Sequence, residues 1–207
     1  LSHSSAASDV YKRQHCQIPQ VIPNSWKAIN NRLTQLQAVG LQDRSAKVIK
    51  KMRAIEELKH FDLDSLGDIP LGMLRKHATR LHAVCRYKIG VSKSGNTGPQ
   101  DVRCIDLHPY SMTAEWSRYA DFLLYHEYIH ALGISNHGRE FRFLEGLWPD
   151  DGARSMGHEF GRYLRERSAK WLWVCPSCND RHPRSRRGNG RYRCRSCKIV
   201  LEDHENT

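Results

Sequence analysis

The sequence predicts an α+β fold with a small metal-binding module at its C-terminal end. Three observations indicate this class. Apolar residues recur at helical spacing in several stretches, a central stretch alternates apolar and polar residues as a half-buried strand does, and two Cys-x-x-Cys pairs lie near the end of the chain. With 207 residues, the chain is long enough for one ordinary domain and one small appended module.

The N-terminal part divides into two predicted segments. Residues 1–14 have no initiating Met, no apolar signal core and no hydrophobic period, and we interpret them as a non-native, adaptor-derived segment outside the fold. Residues 15–68 form a predicted helical region. Its first amphipathic helix contains Trp26 and stops near Gly40, and its second runs from about Val48 to Leu58 with a basic outer face.

Residues 69–170 form the predicted main domain. A helix from Leu71 to Leu81 is expected first, entered through Pro70, because apolar residues recur there at helical spacing. Two strands should then pair as a hairpin around a loop. The expected strands are Cys85–Val91 and Val102–His108, the loop is Ser92–Gln100, and the later helices are Glu115–Leu132, Arg139–Trp148 and His158–Lys170.

Charge and cysteine content restrict the class of protein. The chain has 33 Lys and Arg against 22 Asp and Glu, a formal net charge of +11, which favours an anionic partner such as nucleic acid. No apolar run approaches the roughly 20 residues that span a bilayer, so we expect no membrane partner. The odd total of 7 cysteines and the two short pairs favour metal binding over disulfides. A reducing compartment is therefore expected. We expect a cytoplasmic protein, associated with the nucleoid in a prokaryote or located in the nucleus in a eukaryote.

A His-Glu-x-x-His pattern lies in the strongest predicted helix. His126 and His130 are four residues apart, so on a helix both imidazoles share one face and can bind the same ion. Glu127 is offset from these ligands and can reach a water on the metal. Three protein ligands leave a fourth zinc position for water, whose pKa falls to about 7. The pattern predicts a hydrolytic zinc site with Glu127 as general base.

This site needs a third protein ligand. His137 follows His130 after Gly133, and the intervening segment is long enough for the chain to leave the helix and fold back. We expect His137 to be the ligand. Two alternatives remain open. One is Glu145, since other zinc peptidases take a Glu from a following helix, and the other is the more distant His158.

The C-terminal cysteines predict a second, structural zinc site. The pattern is Cys-x-x-Cys, fifteen intervening residues, and Cys-x-x-Cys again, and its four members are Cys175, Cys178, Cys194 and Cys197. Each pair forms a tight knuckle, and two knuckles complete a closed tetrahedron without a position for water. A segment this small has too little core to fold unaided, so zinc should drive its folding.

Arginines are concentrated between and around these cysteines. Guanidinium groups bind phosphate bidentately, and counterion release adds affinity that does not depend on sequence. The aromatic rings of Trp171 and Trp173 either stack on unpaired bases or pack the module against the main domain. The residues predicted to contact nucleic acid are Arg181, Arg184, Arg186, Arg187, Arg191, Arg193 and Tyr192.

Taken together, these motifs resemble the SprT-like (Spartan-related) zinc metallopeptidases. The resemblance is carried by the helical segment Tyr125–Leu132, the segment Asn136–Phe141 and the cysteine module, and it covers roughly residues 69–201. In that family a His before a Gly supplies the third ligand, with an aromatic residue three positions beyond the Gly. His137 and Phe141 fit this arrangement, which favours His137 over Glu145.

The resemblance also implies a fold and a function. It implies a zincin-like domain over 69–170, with helices beside a small antiparallel sheet, followed by a zinc ribbon and tail over 171–207. It implies a zinc-dependent endopeptidase with one catalytic and one structural zinc, acting on protein substrates bound or crosslinked to DNA, and a monomer is favoured. The spacing from His130 to His137 is shorter than in many relatives. Two other functions stay open, a non-catalytic zinc-containing adaptor for nucleic acid and a general metallopeptidase without DNA dependence.

Overall fold

The computed structural model describes residues 40–91 and 97–206. These residues belong to one of two compact units, residues 37–207. The segment 1–14, the predicted helix around Trp26 and residues 92–96 of the predicted loop lie outside the described residues. None of the helices in the described ranges combines the length and the apolar character needed to cross a lipid bilayer.

The described residues form a mixed α+β structure with two small sheets. The helices are α1 (residues 40–52), α2 (Ser117–Ala131), α3 (Arg139–Gly146) and α4 (Asp151–Ser168). The strands are β1 (Leu71–Met73), β2 (Ala83–Tyr87), β3 (Val102–Leu107), β4 (Trp171–Val174), β5 (Arg181–Arg184) and β6 (Glu202–Glu205). Short 3-10 turns connect several of these elements, and one of them, Pro99–Asp101, leads into β3.

The first sheet has the order β1-β3-β2. The predicted antiparallel pairing of β2 and β3 is confirmed, with an irregularity between Arg86 and Tyr87. The first strand covers Ala83–Tyr87, however, rather than the predicted Cys85–Val91. The predicted helix from Leu71 to Leu81 is wrong: residues 71–73 form β1, which pairs parallel to β3, so the sheet is mixed rather than antiparallel. A Cβ at Gly72 would overlap Asp106 Oδ1 on β3, so a larger residue there would require the Asp106 side chain to move. The run of apolar residues at helical spacing is coincidental.

Several helix boundaries differ from the predictions. The helix expected from about Val48 to Leu58 instead covers residues 40–52, and Glu56–Leu58 forms a 3-10 turn. Gly40, expected to end a helix, is itself helical in α1. The last helix begins at Asp151 rather than near His158, so Asp151 and Gly152 belong to its first turn. An acidic residue is favourable there because it faces the positive end of the helix dipole.

Helix α2 lies at the centre of the main domain. Most of its residues are buried, and it packs against β2, β3, α3 and α4. Leu124, Tyr128 and Ile129 are fully buried in the main core. This packing fixes the rotation of the helix about its own axis, and with it the direction of every side chain that α2 carries.

An ion cluster ties α1 to the first turns of α2. The buried Asp121 carboxylate pairs with Arg44 and, at 2.6 Å, with Lys47 Nζ. The Arg44 guanidinium also donates to the carbonyl of Ser117 at 2.8 Å. Arg44 is itself 11% exposed, so its charge depends on Asp121 for a partner. The cluster therefore holds the start of α2 in place.

Replacing Asp121 by Ala should destabilise the domain, because it leaves the Arg44 guanidinium largely buried without a carboxylate. Loss of one partner of a buried pair predicts a decrease of about 3 kcal/mol in the free energy of unfolding. Urea unfolding measures the change. Asp68→Ala, at an exposed position, is the matched control and should change the value by less than about 0.5 kcal/mol. Equal stability of the two variants would contradict the role of the cluster.

The second sheet has the order β5-β4-β6 and is antiparallel throughout. Its small core consists of Trp173, Cys175, Cys194 and Leu201, with Cys197 packed against it. Such a core is too small to hold a fold alone, which agrees with a metal-stabilised module.

Candidate metal centres

The end of α2 explains how a third histidine can return to the helix. Gly133 has φ +100°, a left-handed conformation that favours glycine and ends the helix. A Cβ at this position would also overlap the carbonyl oxygen of Thr97. The chain then turns back, and the backbone N–H of Gly138 donates to Asn136 Oδ1 at 3.0 Å. This turn places His137 beside the two histidines of α2.

The three predicted histidines converge on one point. The Nε2 atom of His137 lies 3.1 Å from Nε2 of His126 and 3.2 Å from Nε2 of His130. Nitrogen ligands about 2.0–2.1 Å from one zinc at tetrahedral angles are about 3.3 Å apart. The spacing therefore fits three imidazoles around one ion, and these residues could hold a metal.

Hydrogen bonds at the other ring nitrogens set the tautomers that metal binding needs. His126 Nδ1 lies 2.7 Å from Glu145 Oε1, and His130 Nδ1 lies 2.8 Å from the carbonyl oxygen of Ile134. Both acceptors place the ring proton on Nδ1, which leaves a lone pair on Nε2 for an ion.

The two alternative third ligands lie elsewhere. Glu145 bonds the far side of the His126 ring and pairs with Arg154 at 3.2 Å, so it orients a ligand instead of joining the cluster. The hydrogen bond from His126, together with the positive charge of Arg154, lowers the pKa of Glu145. His158 lines a separate cavity on α4.

One aromatic ring supports all three histidines. Phe141 is fully buried, and its ring centroid lies 4.8 Å from that of His126 and 4.6 Å from those of His130 and His137. Phe141 lies in the first turn of α3, so the packing of α3 against α2 determines where the histidine rings can lie.

Glu127 lies beside this cluster and against β2. Its carboxylate is buried and accepts a hydrogen bond from the backbone N–H of Cys85. Burial raises the pKa of Glu127 to about 7, although the nearby His126 and the Cys85 N–H act in the opposite direction. A carboxyl group with this pKa exchanges protons readily at neutral pH.

A cleft of about 260 Å³ opens onto the cluster. It is lined on one side by residues of β2, including Ala83 and Val84, and on the other by Glu127 and the three histidines. Sequence reasoning missed two residues that shape this region. Tyr87 donates its hydroxyl to the carbonyl of His130 at 2.7 Å, and Arg154 supports Glu145. Tyr87 contacts a residue 43 positions away, and Arg154 contacts a residue of the preceding helix, so no motif within one element marks either of them.

The four predicted cysteines also converge. Their sulfur atoms lie within one cluster, and the Sγ atoms of Cys178 and Cys194 are 3.7 Å apart. Sulfur ligands about 2.3 Å from one zinc at tetrahedral angles are about 3.8 Å apart. Positive φ angles at Asn179 and Lys198 close the two knuckles. The donor set and its spacing fit one structural zinc.

The arginine-rich loop of the ribbon is exposed, but the two tryptophans on β4 are buried. Trp171 and Trp173 are 9% and 5% exposed, so they pack within the structure and are not open platforms for bases. Tyr192 is 42% exposed and stacks on Trp173 with ring centroids 4.2 Å apart. All six arginines predicted to contact nucleic acid are exposed. Asp203 holds their loop by accepting from the backbone N–H groups of Gly188 and Asn189.

Comparison with known families gives one match. Residues 169–202 match the SprT-like zinc ribbon domain. The match covers β4, β5 and all four cysteines of the ribbon, and it supports the SprT-like family at a coarse level. Neither the curated proteins nor the solved structures contain a match to this chain. The SprT-like ribbon and its four clustered cysteines indicate one zinc.

We expect Glu145→Gln to weaken zinc binding by the histidine cluster by about 10- to 100-fold, because the amide holds the His126 ring less strongly and makes it a poorer ligand. Competition with a chromophoric chelator measures the affinity. Glu140→Gln changes an exposed residue of the same helix and should leave the affinity unchanged. Equal affinities for both variants would show that Glu145 does not orient a ligand.

Proposed function

We propose that this chain is a zinc-dependent endopeptidase of the SprT-like type that acts on proteins bound or crosslinked to DNA. The convergence of the Nε2 atoms of His126, His130 and His137 carries the proposal. The same atoms face a cleft that is open beside Glu127, so a peptide and a water molecule have access to the point where the three imidazoles meet.

In this proposal, the metal and the residues around the three histidines have separate tasks. When bound, zinc supplies Lewis acidity, which makes water a better nucleophile at neutral pH and polarises a peptide carbonyl. Glu127 accepts the proton of the attacking water and delivers it to the leaving amine, a task that suits a carboxyl group with a pKa of about 7. Glu145 and the carbonyl of Ile134 keep the protons of His126 and His130 on Nδ1.

Strand β2 supports an endopeptidase rather than an enzyme for small molecules. It pairs with β3 on one side and is an edge of the first sheet in the described residues. Residues 83–85 of this strand line the cleft next to Glu127. An extended peptide can pair with such an edge through main-chain hydrogen bonds, whatever its side chains are.

The positive charge of the chain supports the proposal that the peptidase acts while bound to nucleic acid. The net charge of +11 and the exposed arginines of the ribbon favour a polyanion with repeated phosphates. Guanidinium groups around a rigid ribbon would hold the enzyme on DNA while its cleft samples nearby protein segments.

A non-catalytic adaptor for nucleic acid is the second candidate. The observation that favours it is the family match, which is confined to the ribbon. In this candidate the main domain is a scaffold and the ribbon carries the binding. A general metallopeptidase without DNA dependence is the remaining alternative.

Glu127→Gln should abolish cleavage of a protein crosslinked to DNA while leaving zinc binding intact. The amide keeps the size of the side chain but cannot accept a proton, so kcat should fall by about 10²- to 10⁴-fold. Cleavage is followed by gel electrophoresis with and without DNA, together with the zinc content of each variant.

Glu159→Gln, an exposed carboxylate on α4, is the matched control and should cleave as the unmodified chain does. Equal cleavage by the Glu127 and Glu159 variants would exclude the proposed mechanism. No cleavage by any of the three proteins, combined with retained DNA binding, would favour the adaptor. Cleavage that is the same with and without DNA would favour the general peptidase.

A further inference from the structure

A second, larger cavity lies where the main domain meets the ribbon. Its volume is about 790 Å³, compared with about 260 Å³ for the cleft at the histidines. Its walls come from residues 79–82, from α4 and from the end of β5. Three arginines contribute to its lining, Arg80 from the first wall, Arg165 from α4 and Arg184 from β5, and none of the lining residues is Asp or Glu.

Two adjoining cavities continue this surface around the C-terminal end of α4. The first shares Thr79 and Ser168 with the large cavity and adds Lys76 and Arg167. The second adds Arg181, and its one acidic lining residue is Glu166. We call the six cations of these three cavities the junction belt. Its members are Lys76, Arg80, Arg165, Arg167, Arg181 and Arg184.

The charges of the junction belt are not neutralised within the protein. All six side chains are exposed. In the part of the chain that the structure describes, none of them forms an ion pair with a carboxylate. The negative end of the α4 dipole favours Arg165 and Arg167 in its last turn. It does not explain why cations from two other segments gather at the same place.

Aromatic rings accompany these cations. Tyr110 is half-buried, with the Arg167 guanidinium 4.6 Å and the Lys76 ammonium 5.6 Å from its ring centroid. Tyr163 packs edge-on against it at 5.9 Å. Positive charge along a concave surface, with tyrosine rings beside it, is the combination that binds single strands by phosphate contacts and base stacking. A duplex has no unpaired bases to offer these rings.

We propose that the junction belt binds the phosphodiester backbone of single-stranded nucleic acid across the junction of the main domain and the ribbon. This inference rests on the proposed association with nucleic acid, but it does not depend on peptidase activity. It adds contacts from the main domain, Lys76, Arg80, Arg165 and Arg167, to those expected from the ribbon alone. A strand held in this way would contact both modules at once.

The test is the salt dependence of binding to a fluorescent oligothymidylate, measured by anisotropy on the full, zinc-loaded chain. Arg80→Gln combined with Arg165→Gln removes two phosphate contacts. Each contact contributes about 0.7 to the slope of log affinity against log salt for a single strand, so the slope should decrease in magnitude by about 1.4. At physiological salt, the affinity should fall about tenfold.

Lys50→Gln combined with Arg103→Gln removes the same charge from exposed positions outside the belt and should leave the slope unchanged. Melting temperature and zinc content verify that both double variants are folded. Equal slopes for the two double variants would overturn the proposal. A hairpin duplex with the same number of phosphates should bind more weakly than the single strand, and equally tight binding of the duplex would overturn the assignment to single strands.

A competition experiment distinguishes binding of a nucleic-acid strand from binding of free phosphate. Inorganic tripolyphosphate, at an equal phosphate concentration, should not displace the oligothymidylate, because it cannot span the belt or stack on the tyrosines. Displacement would overturn the assignment to a nucleic-acid backbone. Since only binding is measured, this test can fail while cleavage by the Glu127 mechanism persists, and it can succeed in a chain without peptidase activity.

Discussion

The burial of α2 is the constraint on which the candidate site depends. The core on several sides of this helix, and the ion cluster at Asp121, leave only one rotation of the helix about its axis. In that rotation His126 and His130 point into the cleft, while Glu127 lies against β2. The cost of burying Glu127 appears in its pKa, which burial raises to about 7. A carboxyl group in such a position is typical of functional sites.

Two further residues bring a third histidine to this pair. Gly133 ends α2 in a left-handed conformation and lets the chain reverse at once, so that His137 reaches the cluster over a short segment. Phe141 then fills the space beneath all three rings. The short spacing between His130 and His137 is therefore compatible with convergence. Loop length alone does not decide whether a ligand can reach an ion; the backbone conformation at the turn does.

The parts that the sequence predicted well are those with a strong local signal. Helix α2, the pairing of β2 and β3, and the clustering of three histidines and of four cysteines follow from spacing within a few residues or from short motifs. The parts that it missed depend on contacts between distant segments. Strand β1 pairs with β3, more than 30 residues further along the chain, and three residues are too few to show a period. The role of Glu145, whose carboxylate orients His126 across two helices, likewise has no local signature.

Location of the bound metals tests the central claim most directly. Crystals grown with zinc, measured by anomalous diffraction at the zinc edge, should show two peaks for each chain. One should lie among the four cysteine sulfurs of the ribbon. The other should lie about 2.0–2.1 Å from the Nε2 atoms of His126, His130 and His137, with no fourth protein ligand. A single peak in the ribbon, or a fourth side chain that closes the histidine site, would contradict the account.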